Sequence, residues 1–301
     1  MIKVKDRILE LKKNKNALIL AHYYQNMDIQ EIADVVGDSF ELATKAKGTD
    51  ADIIVLCGVR FMAESAKILN PEKKVLLPVL SAGCPMADMI TAEDVRKLRA
   101  SYPDAAVVCY INSSAAVKAE SDICCTSSSA ERIVRSLPQK RIIFIPDQNL
   151  GAFVASKVPE KELILYDGYC PIHHRVSISD VDKVKAFYPN IPILVHPECR
   201  PEVLIMADMI GSTSQIIDYA LNGAGKDYII GTEVGVVSRL RQLAPYKNFY
   251  LLSQGLFCPN MKKTALADVL FSLEQEGYAI ELTSAEIAAA ELSLLRMIAV
   301  K

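Results

Sequence analysis

The sequence has almost no excess charge: 34 lysines and arginines face 36 aspartates and glutamates, and the formal net charge is −2. It carries no basic block or stripe, so a nucleic-acid partner is disfavoured. No apolar run approaches the roughly 18 residues that a membrane-spanning helix needs, which argues against a membrane partner. The start, Met1-Ile2-Lys3-Val4-Lys5-Asp6, is charged and lacks the apolar core of a secretory signal, so a cytoplasmic location is the expectation. There is no low-complexity segment and no long linker, so successive units should be closely docked. What is present suits a soluble enzyme with a large core: 301 residues, 51% hydrophobic, with room for two or three domains. Eight cysteines in such a chain are read as reduced thiols and metal ligands rather than a disulfide framework.

Three of those cysteines hold the same place in three copies of one unit. They are Cys84 in Ala-Gly-Cys-Pro, Cys170 in Gly-Tyr-Cys-Pro and Cys258 in Leu-Phe-Cys-Pro, spaced by 86 and then 88 residues. Apolar runs ending at Ala21, Cys109 and Val195 are followed by His22, Tyr110 and His196, and two residues later by Tyr24, Asn112 and Glu198, at steps of 88 and 86. A third register aligns Ala33–Ser39, Ser121–Ser127 and Ala207–Thr213 at the same steps. Self-similarity at a fixed period means one supersecondary unit used three times. Packed around a pseudo-threefold axis, the units would bring their cysteines to one point. Three thiolates with a vacant fourth position describe an iron–sulfur cluster with one open iron, or else a catalytic zinc site.

Within each unit, continuous apolar runs such as Ala17–Ala21, Ile53–Leu56 and Lys74–Leu77 alternate with helical stretches such as Phe61–Leu69. Buried strands alternating with helices predict parallel sheets covered on both faces. The fold class is therefore α/β, with three pseudo-threefold-related αβα domains around a central cluster and cavity. Boundaries are placed at residues 1–87, 88–173 and 174–262, with a helical tail over 263–301 packed on the domains.

Ligands of such units bind beyond the carboxyl ends of the strands. His22, Tyr24, Tyr110, Asn112, His196 and Glu198 all follow a first strand. Ser39, Ser127 and Thr213 follow a second strand and are expected to open helices, where hydroxyl and backbone N–H groups can hold an anion. The alternative for each hydroxyl is a plain helix cap; recurrence at all three positions favours function. Cys57, Cys109 and Cys124 read as small buried hydrophobes, and Cys125 and Cys199 as structural, because they lack partners at the repeat positions. Asp34, Asp122 and Asp208 recur equally and are expected to tie a turn. One of His173 and His174 should face solvent. The shared cavity would hold an open metal, hydroxyls, imidazoles and a single carboxylate, Glu198, and would suit a small anionic substrate. Glu198 is the expected proton carrier, with His196, His22, Tyr24 and Tyr110 as further candidates for acid–base work.

An ordered set of motifs spans the chain: Ala21-His22-Tyr23-Tyr24-Gln25, Gly37-Asp38-Ser39, Phe61-Met62-Ala63-Glu64, Cys84-Pro85-Met86-Ala87, Tyr110-Ile111-Asn112-Ser113, Thr126-Ser127, Pro146-Asp147-Gln148-Asn149-Leu150, Cys170-Pro171-Ile172-His173, His196-Pro197-Glu198-Cys199, Gly211-Ser212-Thr213, Gly231-Thr232-Glu233 and Cys258-Pro259-Asn260-Met261-Lys262. Through these the chain resembles the quinolinate synthase family over essentially its whole length. The resemblance implies an oxygen-sensitive 4Fe-4S cluster on Cys84, Cys170 and Cys258. It implies condensation of iminoaspartate with dihydroxyacetone phosphate to quinolinate, with loss of phosphate and two waters, in NAD biosynthesis. It also implies a functional link to the enzyme that produces iminoaspartate. The open iron would act as a Lewis acid with no net electron transfer. Positions matching the family's iminoaspartate site are His22, Ser39, Tyr110, Ile111, Asn112, Ser127, His196, Pro197, Glu198 and Thr213, while Tyr24 and His173 match other cavity positions. Two other readings stand beside this one. A different iron–sulfur hydro-lyase would release no phosphate from a triose phosphate, and a redox sensor would be indifferent to substitution of Glu198.

Overall fold

The computed structural model describes residues 3–300, which form three four-stranded sheets, all parallel, each wrapped by helices. The first contains β1 (Ala17–His22), β2 (Val35–Gly37), β3 (Ile53–Cys57) and β4 (Lys74–Leu76) in the order β2-β1-β3-β4. The second contains β5 (Ala106–Tyr110), β6 (Ile123–Cys125), β7 (Arg141–Ile145) and β8 (Glu162–Leu165), ordered β6-β5-β7-β8. The third contains β9 (Ile193–Val195), β10 (Met209–Ile210), β11 (Asp227–Gly231) and β12 (Asn248–Leu251), ordered β10-β9-β11-β12. The α/β expectation is borne out. β3 and β5 are buried at every position, as strands covered on both faces must be.

The repeat extends to individual hydrogen bonds. Asp34, Asp122 and Asp208 each turn a carboxylate onto the first strand of their unit, accepting from the N–H of Ile19 (2.8 Å), Val107 (2.7 Å) and Ile193 (2.8 Å). The same three residues donate their own N–H to the carbonyls of Ile19, Val107 and Ile193. The aspartates thus clamp the second strand beside the first and hold the following loop at the carboxyl end of the sheet. The second and third units also open alike, on capping boxes Thr91/Asp94 and Ser177/Asp180.

The tail packs on two units. Helix Leu266–Gln275 lies with helix Val4–Asn14 over the first sheet, where Val269 and Leu273 meet Ile8, Ile19 and Val55 in one core. Ala279 then bridges antiparallel to Leu76, with Ile280 N–H on the Val75 carbonyl at 2.8 Å. Helix Ser284–Ala299 buries Ala290, Leu294 and Met297 against the second unit, in the core that contains Ile123 and Val117. A fully buried leucine such as Leu294 contributes about 1.5–3 kcal/mol of transfer free energy, so this helix fastens the second unit to the first. No helix among the described residues is long and apolar enough to cross a membrane.

Candidate active site

The carboxyl ends of all three sheets open on one cavity of about 500 Å³. His22 and Tyr110 are the last residues of β1 and β5, His196 directly follows β9, and the loops after β4, β8 and β12 bring Cys84, Cys170 and Cys258 to the same wall. Tyr24, Ser39, Asn112, Ser127, His173, Glu198 and Thr213 stand in the same lining, together with Asp38 and Arg175, so Glu198 is not the single carboxylate expected from the sequence. Of the residues singled out from the sequence, Ile111 and Pro197 are buried but form no part of this wall; the Ile111 N–H is bound to the Cys125 carbonyl at 2.8 Å.

Glu198 is 3% exposed and is the centre of a directed hydrogen-bond chain. Its carboxylate accepts from the Tyr110 hydroxyl at 2.7 Å and lies 2.6 Å from His173 Nδ1. Nδ1 therefore carries a proton directed at Glu198, and Nε2 lies 3.0 Å from the Thr232 hydroxyl. The Thr232 oxygen in turn accepts from the Tyr24 hydroxyl at 2.8 Å, and Tyr24 accepts from Thr213 at 3.1 Å. The carboxylate of Glu198 only accepts, and the donors of Tyr110 and His173 converge on it, so the buried charge is hydrogen-bonded on both oxygens.

The other two imidazoles are locked in the opposite tautomer by the same local geometry. Tyr24 N–H donates to His22 Nδ1 at 3.1 Å, and Glu198 N–H donates to His196 Nδ1 at 3.3 Å. With Nδ1 accepting, each neutral ring carries its proton on Nε2; that of His196 lies 3.3 Å from Ser127 Oγ. Burial pushes His22 down to about 3, with the Lys262 charge adding to it, and pushes His196 down to about 4 against the pull of Glu198. Both are neutral N–H donors at pH 7. Burial pushes Glu198 up, but His196, His173 and the hydrogen bonds from His173 and Tyr110 outweigh it and hold the carboxyl well below its usual range. Tyr24 and Tyr110 are raised by burial and then by the Glu198 charge, so both stay protonated. The ionised Glu198 thus faces neutral donors on His22, His196, Tyr24 and Tyr110.

The hydroxyl positions depart from expectation in one respect. Helix Ser39–Lys47 is capped by Asp38, which accepts from Phe40 and Glu41 N–H at 3.0 and 3.1 Å, and helix Thr213–Asn222 is capped by Ser212. Ser39 and Thr213 thus open their helices without spending their hydroxyls as caps. Ser127 does not open one: residues Thr126–Ser129 form a turn and the helix begins at Ala130, because Thr126 N–H and hydroxyl are drawn to Ser129 Oγ.

The three repeat cysteines line the cavity, whereas Cys57, Cys109, Cys124, Cys125 and Cys199 are buried away from it; Cys109 and Cys124 depart from the small-hydrophobe reading, since Cys124 Sγ lies 3.4 Å from Ser293 Oγ and, against burial, Cys124 and Lys118 draw the Cys109 thiol down to about 7. Burial raises all three lining thiols, Cys84 to about 12, and their charges act on one another: Cys258 on Cys84, and Cys84 on Cys170. His174 is partly exposed and His173 buried, the expected division.

A model of the family described as quinolinate synthetase A protein matches residues 6–299. A quinolinate synthase of Alkaliphilus metalliredigens is 58% identical over 275 residues, 91% of each chain. One of Caldicellulosiruptor bescii is 54% identical over 98% of this chain and 97% of its own, and one of Pelobacter propionicus 51% identical over 99% and 98%. The chain belongs to the quinolinate synthase family.

Several residues of this quinolinate synthase site escaped sequence reasoning. Thr232 links Tyr24 to His173, and Asn149 holds the Glu198 carbonyl at 3.0 Å while bonding His174 Nδ1 at 3.0 Å. Lys262 donates to the Tyr24 carbonyl and pairs with Glu233 at 3.2 Å, tying the third unit to the Tyr24 turn. Gly235 permits that approach, since a Cβ there would sit 2.5 Å from the Tyr23 carbonyl. Of these residues Glu233 alone has a like residue at its repeat position, Asp147, and that recurrence is the signal that could have found it.

Proposed function

We infer that the protein condenses iminoaspartate with dihydroxyacetone phosphate to give quinolinate, releasing phosphate and two waters, as a step of NAD biosynthesis in the cytoplasm, functionally linked to an iminoaspartate-producing enzyme. The observation that carries this reading is the convergence of Cys84, Cys170 and Cys258 with the Glu198 network on one cavity, in a chain of this family. The division into units 1–87, 88–173 and 174–262 with a tail 263–301 belongs to the same reading and is supported by each sheet lying within one unit.

The donor set fits a 4Fe-4S cluster held by Cys84, Cys170 and Cys258: three soft sulfurs at equivalent positions, close enough to perturb one another's ionisation, on the wall of one cavity. A cluster held there supplies a Lewis-acidic iron for carbonyl and hydroxyl oxygens. Loading it releases the three thiol protons. Cys170, His173 and Glu198 also bring ligand atoms within 4.8 Å of one another, which invites a single-ion reading. Their contacts are better explained by hydrogen bonding, because His173 already spends Nδ1 on Glu198 and Nε2 on Thr232.

The chain's own residues divide the remaining work. The Nε2–H groups of His22 and His196 and the hydroxyls of Ser39, Ser127 and Thr213 suit the carboxylates of iminoaspartate. Asn112 adds a buried Oδ1 with no protein partner. Glu198, the ionised base, removes a proton from carbon during isomerisation and ring closure, and Tyr110 and His173 stabilise and orient its charge. The test is anaerobic incubation of the iron–sulfur-loaded protein with both substrates, with quinolinate as the measured product. Formation of quinolinate supports the reading. A protein that takes up zinc but no iron–sulfur cluster, and makes no quinolinate, overturns it.

A further inference from the structure

The residue that follows the third strand and precedes the next helix is Val59 in the first unit, Asp147 in the second and Glu233 in the third, at the 88 and 86 residue steps of the repeat. Both acids are fully buried. Each uses one oxygen to cap its own helix: Asp147 Oδ1 accepts from Leu150 N–H at 2.8 Å, and Glu233 Oε2 from Gly235 N–H at 2.7 Å. Each turns its other oxygen to a cysteine of the cavity. Asp147 Oδ2 accepts the Cys170 N–H at 3.1 Å, and Glu233 Oε1 accepts the Cys258 N–H at 3.2 Å. Backbone bonds one residue further on, Gln148 N–H to the Gly168 carbonyl and Val234 N–H to Leu256, brace the same loops; the first unit keeps this brace as Arg60 N–H to Ala82. It lacks the carboxylate. Val59 offers no acceptor, so Cys84 receives no such clamp.

We propose that Asp147 and Glu233 are positioning residues that preset the Cys170 and Cys258 loops for the iron–sulfur cluster, leaving Cys84, whose carbonyl alone is held by the Asp88 N–H, as the one ligand whose own N–H has no such clamp before the cluster binds. A ligand backbone held by a buried carboxylate loses less entropy on binding, and outer partners of this kind orient metal ligands and tune their affinity. The proposal rests on the cluster reading, yet its first test does not need the cluster.

In the metal-free full-length protein, amide hydrogen exchange at Cys170 and Cys258 should be slow, and that at Cys84 fast. Asp147→Ser keeps a capping hydroxyl for Leu150 but cannot reach Cys170, and should speed Cys170 exchange roughly ten- to a hundredfold, with Cys258 unchanged. Glu233→Ser, which likewise keeps a capping hydroxyl but cannot reach Cys258, should do the same to Cys258 alone. After anaerobic reconstitution with iron and sulfide, both variants should hold less cluster, read by visible absorbance, and lose it in air several times faster than the parent; the Glu233 variant, which also releases Lys262 from its pair, should in addition melt at a lower temperature. Asp147→Asn, which still offers one acceptor, should lie between. Unaltered exchange at both cysteines, or unaltered cluster content and air lifetime in both variants, would overturn the proposal. A parent protein that takes up no cluster while the exchange differences persist would instead sink the cluster reading and leave the clamp established.

Discussion

Replacing Glu198 by Gln removes the ionised base at the centre of the hydrogen-bond network while disturbing little else. The carboxylate sits 2.7 Å from the Tyr110 hydroxyl and 2.6 Å from His173 Nδ1. In the variant the amide oxygen can still accept from Tyr110. The amide NH₂ faces His173, which can move its proton to Nε2 and accept at Nδ1, and Thr232 can rotate its hydroxyl to accept at 3.0 Å. The network is therefore rewired rather than broken, and the charge-assisted part of two hydrogen bonds is what stability loses, about 1–3 kcal/mol in all. Activity loses more. Proton transfer by a positioned base is worth roughly 10²–10⁴ in rate, or about 2.7–5.5 kcal/mol of barrier. The locked tautomers of His22 and His196 prevent either from substituting, since each presents Nε2–H rather than a lone pair. The assay is anaerobic quinolinate formation, with cluster content measured on the same sample. A Glu198→Gln protein that keeps its cluster but turns over at less than a hundredth of the parent rate is the expected result; near-normal turnover would refute the assignment of proton transfer to Glu198.

Changing Cys84, Cys170 or Cys258 to Ala should abolish iron–sulfur absorbance and activity, whereas Cys199→Ala should keep the chromophore; the reverse pattern between Cys258 and Cys199 would sink the ligand assignment. Ser39→Ala, Ser127→Ala and Thr213→Ala should each weaken substrate use by one to two orders of magnitude, roughly 1.5–3 kcal/mol, with stability kept for Ser39 because Asp38 does the capping. Asp38→Ala, by contrast, should cost about 1 kcal/mol of stability in denaturant titrations. For the metal-free protein, His22 and His196 titrate near 3 and 4 when folded and near 6.5 when unfolded, so the unfolded state binds more protons below pH 6.5. Unfolding free energy should therefore fall as pH drops from 6.5 towards 4, by about 1.4 kcal/mol per pH unit for each imidazole, and His22→Gln should remove its share of that slope.

The repeat made much of this site legible without coordinates. A shared period put His22, Tyr110 and His196 at strand ends and Cys84, Cys170 and Cys258 in matching loops, and the parallel-sheet rule supplied the common end. The recurring aspartates are legible as ties because a carboxylate at a loop-to-strand junction meets unpaired N–H groups there. What the pattern could not disclose is which of several competing side chains makes a given contact, whether between neighbours or between distant parts of the chain. Ser39 and its capping partner are indistinguishable in sequence, since Asp38 and Ser39 can each cap. The turn at Thr126–Ser129 displaces Ser127 from a helix start through a side-chain preference among four adjacent hydroxyl residues. The Thr232 link between Tyr24 and His173 spans all three units. The tail's attachment to the first and second sheets is likewise set by which apolar faces remained uncovered, and local periodicity does not record that.

The most direct test of the central claim is product stoichiometry under anaerobic conditions, with the protein carrying an iron–sulfur cluster and supplied with iminoaspartate and dihydroxyacetone phosphate. The account predicts one quinolinate and one phosphate per turnover, with both lost together in Cys170→Ala and in Glu198→Gln. Phosphate release without quinolinate, or neither product from a fully loaded protein, would contradict it.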